Sequence, residues 1–289
     1  MGQAGGWHEK RLKEAFEAIG GDVLCLPITG LVSCVGGDSQ TFGVSLRDDF
    51  ISLGEADTVI VRAVPAGSLE QIVYRMDALH SLKDWGCRVV NPPETIERSA
   101  DKFHASFLIQ AAGVTTPRTR VMERFDDALD HFESLGGDVV LKPLFGSEGK
   151  GILRIENRDL AYRTFRALDV TRSVYYMQEY LPSVGWDLRV FVLGGRALGC
   201  IKRISSGLAM NVSRGAVVER YPITDEIEEM ALVSTRVFGA DYCGVDLYPT
   251  RNGFSVIEVN GIPGWRGFER ATGIAVADEI AKWIASERS

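Results

Sequence analysis

No apolar run in this sequence approaches the ~18 residues of a membrane span. The first residues, Met1-Gly-Gln-Ala-Gly-Gly-Trp7, have neither the basic stretch nor the apolar stretch of a secretory signal. No CxxC pair occurs. The five cysteines, Cys25, Cys34, Cys87, Cys200 and Cys243, are odd in number and scattered. That argues against a thiolate metal centre or a disulfide framework and fits small buried residues in a reducing cytoplasm. Positive charge is not in excess either: the formal net charge of −7 disfavours nonspecific binding to nucleic acid or anionic membrane, while leaving a local basic cleft open. Repeats and low-complexity segments are lacking. What is present is an ordinary globular composition, 45% hydrophobic and 25% charged, spread over 289 residues. That length suits two or three subdomains better than one.

Residues 8–19 put Leu12, Phe16 and Ile19 on one helical face, with Gly20-Gly21 as the stop. Short apolar runs at 23–26 and 58–61, a helix over 69–85 and a strand over 88–90 predict a small parallel α/β unit covering roughly residues 1–90. Such units ordinarily open with a strand, whereas here a helix begins by residue 8. The expectation is that the fold lacks this strand or that the chain start is incomplete. Asn91-Pro92-Pro93 marks a boundary, since each proline holds the residue before it extended. Beyond it the pattern predicts one helix over 94–112 and another over 126–135. Strands follow at 138–142, 152–155 and 174–179 around a helix near 159–168. The last third reads as strands at 187–193 and 197–203, a helix at 225–238, and strands at 243–248 and 254–260.

Chemistry concentrates in three places. In Cys243-Gly-Val-Asp-Leu-Tyr and Phe254-Ser-Val-Ile-Glu-Val-Asn260, strand alternation puts Glu258 and Asn260 on one face. If Arg251-Asn252-Gly253 closes a hairpin, Thr250 pairs with Phe254, Tyr248 with Val256, and Asp246 falls opposite Glu258. Facing carboxylates repel, and a hard cation such as Mg²⁺ relieves the repulsion with oxygen ligands. A solvated polar hairpin face reads the same way from spacing alone. Lys142, at the end of an apolar strand, precedes a loop with Gly146, Gly149 and Gly151, which suits a phosphate as well as it suits a flexible hairpin. Tyr176-Met-Gln-Glu-Tyr-Leu181 ends a strand that exposes backbone groups to an adenine edge or simply leaves its sheet. Asp187 is a candidate acceptor for ribose hydroxyls. Lys202, Arg203 and Arg214 are cations for phosphate, a substrate carboxylate or surface ion pairs.

In order along the chain, these pieces resemble the ATP-grasp superfamily, and within it the RimK-type α-L-glutamate ligases. The matching stretches begin with the segment from Asn91 to Lys102, Val140-Leu-Lys-Pro143, Gly149-Lys-Gly151 and Gln178-Glu-Tyr180. They continue with Asp187-Leu-Arg189, Asn211-Val-Ser-Arg-Gly215, Gly244-Val-Asp246 and Glu258-Val-Asn260. The resemblance covers about residues 90–275 and implies an α/β (α+β) ATP-grasp fold. A pre-ATP-grasp unit over 1–90 would precede a small subdomain over 91–181 and a C-terminal subdomain with the magnesium site over 182–289. It implies that Lys102 and Lys142 contact ATP phosphates, that Glu179 and Tyr180 sit at the adenine hinge, and that Asp187 sits at the ribose. Asp246, Glu258 and Asn260 would bind Mg²⁺ or Mn²⁺, with Arg203 and Asn211 near the phosphate and acyl end. Departures are Ala209, where relatives usually carry arginine, and Asn260-Gly-Ile-Pro-Gly264 in place of Asn-x-Ser-Pro-Gly.

The activity implied by the resemblance is ATP-dependent amide formation through an acylphosphate, in the cytoplasm, by a monomer or a homo-oligomer. L-Glutamate would be joined to an acceptor carboxylate on a small molecule, a tetrahydromethanopterin-type pterin cofactor or a protein C-terminus. Neither nucleic acid nor membrane is an expected partner. The alternatives are another amino-acid donor and an ATP-binding regulatory protein without turnover.

Overall fold

The computed structural model describes residues 1–2, 5–36, 41–46, 49–146, 149, 151–182, 184–205 and 217–287. They form two compact units. One comprises Met1–Ile96, Gly239–Tyr242 and Gly261–Ser289, and the other comprises Glu97–Phe238 and Cys243–Asn260.

The first unit opens with helix α1 (Trp7–Glu17), which is followed by an antiparallel sheet of β1 (Leu31–Cys34), β2 (Thr41–Leu46) and β3 (Asp49–Ser52). Next come β4 (Thr58–Ile60), α2 (Leu69–Asp84), β5 (Arg88–Val90) and α3 (Pro93–Ala100). β4 and β5 pair in parallel, Thr58 beside Arg88 through Ile60 beside Val90, as the alternating pattern predicts. α2 starts on a reciprocal cap in which Ser68 and Gln71 satisfy each other's backbone N–H. Its buried Met76, Leu79 and Leu82 share a core with Val44, Val59 and Val89.

The run 23–26 does not form the expected strand. Its pairing is a single parallel bridge between Gly2 and Pro27, and one ladder contact is too little to hold a strand in register. Gly2 donates to the Leu26 carbonyl (3.1 Å), Arg62 N–H donates to the Met1 carbonyl (2.6 Å), and the Met1 ammonium donates to the Ile60 carbonyl. The first two residues thus tie segment 26–27 to the end of β4.

The second unit holds two sheets. The helix expected over 94–112 is broken: Asp101 leaves helical geometry and its carboxylate accepts from the N–H groups of Phe103 (2.9 Å) and His104 (3.0 Å). A short acidic side chain competes for backbone donors in this way, so α4 (Lys102–Ala111) restarts with Lys102 as its first residue. β6 (Thr119–Met122), α5 (Phe125–Ser134), β7 (Val139–Lys142), β8 (Leu153–Ile155), α6 (Arg158–Val170) and β9 (Tyr175–Glu179) follow. They build a four-stranded sheet of order β6-β9-β7-β8, with Phe132 and Phe165 from the two helices buried against Val139, Ile155 and Tyr175.

β10 (Trp186–Leu193), β11 (Arg196–Ile204), β12 (Val217–Tyr221), α7 (Asp225–Phe238), β13 (Tyr242–Thr250) and β14 (Gly253–Asn260) complete the unit. The five strands run in the order β12-β11-β10-β13-β14, and α7 packs on the sheet. The chain then returns to the first unit with α8 (Arg266–Thr272) and α9 (Val276–Ser286), which packs on α1. No helix among the described residues is long and apolar enough to cross a membrane.

Candidate active site

The β13–β14 hairpin sets the first half of the site. Its turn is shorter than the sequence suggests: Thr250 pairs with Gly253, Pro249 with Phe254 and Tyr248 with Ser255, one residue out of the expected register. A β-bulge between Asp246 and Leu247 on one strand, which takes up Ile257 on the other, shifts the ladder back. Beyond it Asp246 stands opposite Glu258 and Gly244 opposite Asn260. Bulges re-aim side chains, and this one puts Asp246, Glu258 and Asn260 on a single face.

Asp246 is buried and already engaged. Arg189 on β10 donates from Nε to Oδ1 (2.6 Å) and from its guanidinium to Oδ2 (2.7 Å), while Arg203 on β11 reaches Oδ2 at 2.9 Å. Arg203 in turn forks onto Asp187, which register places directly across from it on β10. Two carboxylates and two guanidiniums therefore alternate across three neighbouring strands, three of the four almost wholly buried. Burial disfavours the Asp246 carboxylate, yet Arg189 and Arg203 outweigh it and hold the group below the usual carboxylate range. Arg203 is raised in the same way: burial opposes its charge, and Asp246 and Asp187 prevail. Removing one partner from such a network typically costs ~3–5 kcal/mol, because a buried charge is left uncompensated.

The four-stranded sheet supplies the other half. Lys142 ends β7 beside Tyr176 and donates to Oε1 of buried Gln178, whose amide nitrogen donates to Thr119 Oγ1 (3.1 Å). Burial pushes the Lys142 ammonium down to about 8; Glu258 works against that shift and Lys102 adds to it. Lys102 is also lowered, by burial first, with Glu258 and Asp101 opposing. The candidate metal face and the candidate phosphate lysines are thus near enough to feel each other's charge.

Lys102 Nζ donates to the carbonyls of Gly146 (2.8 Å) and Leu144 (3.4 Å), at the start of the glycine-rich loop. Gly149 and Gly151 in that loop have φ of 67° and 76°, a region that favours glycine. A Cβ on Gly151 would come within 2.7 Å of Pro143 Cγ. At the end of β9, Glu179 accepts from Arg118 N–H (2.9 Å) and Arg118 Nε (2.6 Å). The Arg154 guanidinium lies 3.7 Å from the Tyr180 ring centroid and forks onto Asp138.

Of the ten residues singled out in the sequence, nine are described and all lie in the second unit. Asp246, Glu258 and Asn260 share a face, as do Asp187 and Arg203, which pair with each other. Asn211, like Arg214 and Ala209, lies outside the described residues. Arg189, Gln178 and Arg118 carry contacts to which sequence reasoning gave no role; a buried bidentate partner 57 positions away leaves no local signature. Among the described residues no cluster of three His, Cys, Asp or Glu side chains is assembled for a metal. The donor set here, two carboxylates and an amide oxygen, is of the hard oxygen type that fits Mg²⁺ or Mn²⁺.

The fold has close solved counterparts. The RimK domain ATP-grasp protein of Sphaerobacter thermophilus superposes with a TM-score of 0.76 at 20% identity, over 98% of this chain and 97% of that one. The ATP-grasp ligase PsnB, solved with a phosphomimetic precursor variant, Mg and ADP, gives 0.74 at 18% identity, over 100% and 97%. The architecture is therefore the ATP-grasp fold, as the motifs predicted. Residues 99–284 match the RimK-like ATP-grasp domain. The chain is 31% identical over 264 residues to the tetrahydromethanopterin:alpha-L-glutamate ligase of Methanosarcina acetivorans, covering 81% of each. The enzyme so named in Methanococcus maripaludis is 31% identical over 285 residues, 95% of this chain and 92% of that one. In class the protein is an ATP-dependent carboxylate–amine ligase. It belongs to the RimK-like ATP-grasp family.

Proposed function

We propose that the chain joins the amine of L-glutamate to an acceptor carboxylate, using ATP with Mg²⁺ or Mn²⁺. The acceptor is a small cofactor of the tetrahydromethanopterin type, the substrate named for the relatives from Methanosarcina and Methanococcus. One observation carries the reading. The charge of Glu258, which stands opposite Asp246, acts on both Lys142 and Lys102, which supports reading these lysines as phosphate cations beside a set of hard oxygen donors in the same unit. All five cysteines are free, which suits a reducing cytoplasm.

In the proposed reaction the acceptor carboxylate attacks the γ-phosphorus and the bond to ADP breaks, leaving an acylphosphate. The glutamate nitrogen then attacks the acyl carbon, phosphate departs and the amine loses a proton. A divalent ion bound by Asp246, Glu258 and Asn260 supplies charge neutralisation to the phosphates. Lys142 and Lys102 hold phosphate oxygens as point charges that need no reorganisation during the reaction. Tyr180 and the Glu179 backbone border the adenine; Asp187, expected at the ribose, is buried with both oxygens taken by Arg203 and instead fixes that guanidinium toward the acyl end. The glycines of the loop over 143–151 let backbone N–H groups approach the phosphates and keep water from the acylphosphate.

The test is mass spectrometry of cell extract incubated with the protein, ATP, Mg²⁺ and isotopically labelled glutamate. A labelled product together with ADP is expected, and Glu258→Gln should abolish both without loss of fold. Labelled product from the variant at wild-type rate under limiting magnesium would remove Glu258 from the metal site. ADP release driven by another amino acid would replace glutamate as donor. No amine-dependent ADP release at all would favour an ATP-binding regulator.

A further inference from the structure

We propose that Arg189 occupies the place of a divalent cation's charge at Asp246, so that metal binding becomes conditional on nucleotide. The inference rests on the metal reading above and goes beyond it by assigning Arg189 a positioning role. Arg203 and Arg189 differ in how they are held. Arg203 is anchored by a carboxylate of its own, Asp187, with side-chain exposures of 3% and 1%. Arg189, 14% exposed, takes its carboxylate from Asp246 alone among the described residues. A carboxylate offers about four lone-pair sites. Three are taken on Asp246: Oδ1 receives one N–H, from Arg189, and Oδ2 receives two, from Arg189 and Arg203. That leaves one site on Oδ1 without a donor among the described residues, on a carboxylate whose strand face is shared with Glu258 and Asn260.

The electrostatics explain why a cation belongs here before any ligand does. The bulge sets Asp246 directly against Glu258 across the ladder, and like charges so placed repel. A guanidinium on Asp246 removes that repulsion from within the sheet. A free divalent ion approaching the strand face of Glu258 and Asn260 then meets a carboxylate already shared by two positive groups, which weakens its hold. Nucleotide phosphates restore the missing negative charge, so the ion binds with the nucleotide and not ahead of it.

Mn²⁺ is the probe, with its free concentration read by electron paramagnetic resonance in the absence of nucleotide. The proteins are wild type, Arg189→Gln, Arg189→Lys and the double variant Arg189→Gln with Asp246→Asn. Wild type should bind Mn²⁺ weakly. Arg189→Gln should bind it at least about tenfold more tightly, or ~1.4 kcal/mol. Arg189→Lys, which keeps a charge without the fork, should fall between, and the double variant should lose the gain. The melting temperature of Arg189→Gln, lowered in chelator, should rise with Mn²⁺ more than that of wild type.

Equal affinity in wild type and Arg189→Gln overturns the proposal, as does a gain that survives Asp246→Asn. Should Arg189→Gln not fold in chelator, recovery of its circular dichroism by Mn²⁺ is expected. No recovery, with Arg189→Lys binding as wild type does, reduces Arg189 to a structural ion pair. A control separates the two readings. If wild type with ATP binds no Mn²⁺, the metal assignment itself fails; tight binding there without a gain in Arg189→Gln removes only the role of Arg189.

Discussion

Three of the charged groups set to meet a ligand in this site already have a protein partner. Lys142 has Gln178, Lys102 has two loop carbonyls, and Asp246 has two arginines. Burial alone would make such groups costly, and the contacts keep them charged and placed. The pKa of Lys142 gives this a measurable form. Its free-state value of about 8, below an ordinary lysine, reflects burial first, partly offset by Glu258. Phosphate beside the ammonium stabilises the charged form and raises the pKa, so nucleotide binding takes up a proton once the pH is near or above 8. Affinity therefore falls as the pH climbs through that value. Calorimetry of a non-hydrolysable ATP analogue at pH 8.5, in buffers of low and high ionisation enthalpy, should show the uptake. Lys142→Ala should abolish it and weaken binding by ~1.5–3 kcal/mol. Equal heats in both buffers for wild type would assign the proton elsewhere. The lysine itself was legible as a cation closing an apolar strand. Its partner Gln178 was not, because cross-strand neighbours are set by sheet order and not by spacing.

At the scale of elements, segments with a clear apolar pattern were readable, the short strands β4, β5, β7, β8 and β9 among them, and segments without one were not. Helix α7 has the predicted bounds, and β10, β11, β13 and β14 lie within a residue or two of theirs. The antiparallel sheet β1–β3 carries no strong alternation and escaped notice: β3 is exposed at three of its four positions. Asp246 and Glu258 were matched across the hairpin by an incorrect turn, and the unforeseen bulge restored the pairing. The break at Asp101 has its own consequence. Its carboxylate caps α4 and fixes Lys102 at the first helical position, from which the ammonium reaches the glycine-rich loop. Asp101→Ala should cost ~1 kcal/mol in urea denaturation, as lost caps do, and should also weaken nucleotide binding by loosening Lys102. Asp101→Asn, which still caps, should keep both properties near wild type. Equal nucleotide affinity in the alanine variant would limit Asp101 to holding the helix.

At the scale of the whole molecule, the first unit is assembled from three separated stretches, and buried Asn91 fastens them. Its Nδ2 donates to the carbonyls of Tyr242 (2.7 Å) and Gly261 (2.6 Å), while Oδ1 accepts from the N–H groups of Asp241 (2.7 Å) and Tyr242 (3.1 Å). Two donors and two acceptors are all that an asparagine amide has, and here every one is used on backbone. The sequence marked this position as a boundary on the strength of the prolines after it, and nothing local could show that the side chain binds residues some 150 positions on. Asn91→Ala leaves two buried carbonyls and two buried N–H groups without this partner. At ~1–3 kcal/mol for each unsatisfied group, a loss of about 4 kcal/mol or more is expected. Asn91→Asp should be worse at neutral pH, since a carboxylate cannot donate and would face two carbonyl oxygens. Lowering the pH should narrow the gap between the two variants, because the protonated acid regains one donor. Urea denaturation at pH 7.5 and pH 5, followed by circular dichroism, measures both effects. An Asn91→Ala midpoint equal to wild type would mean that the three stretches are held by their packing and that the amide ties add nothing.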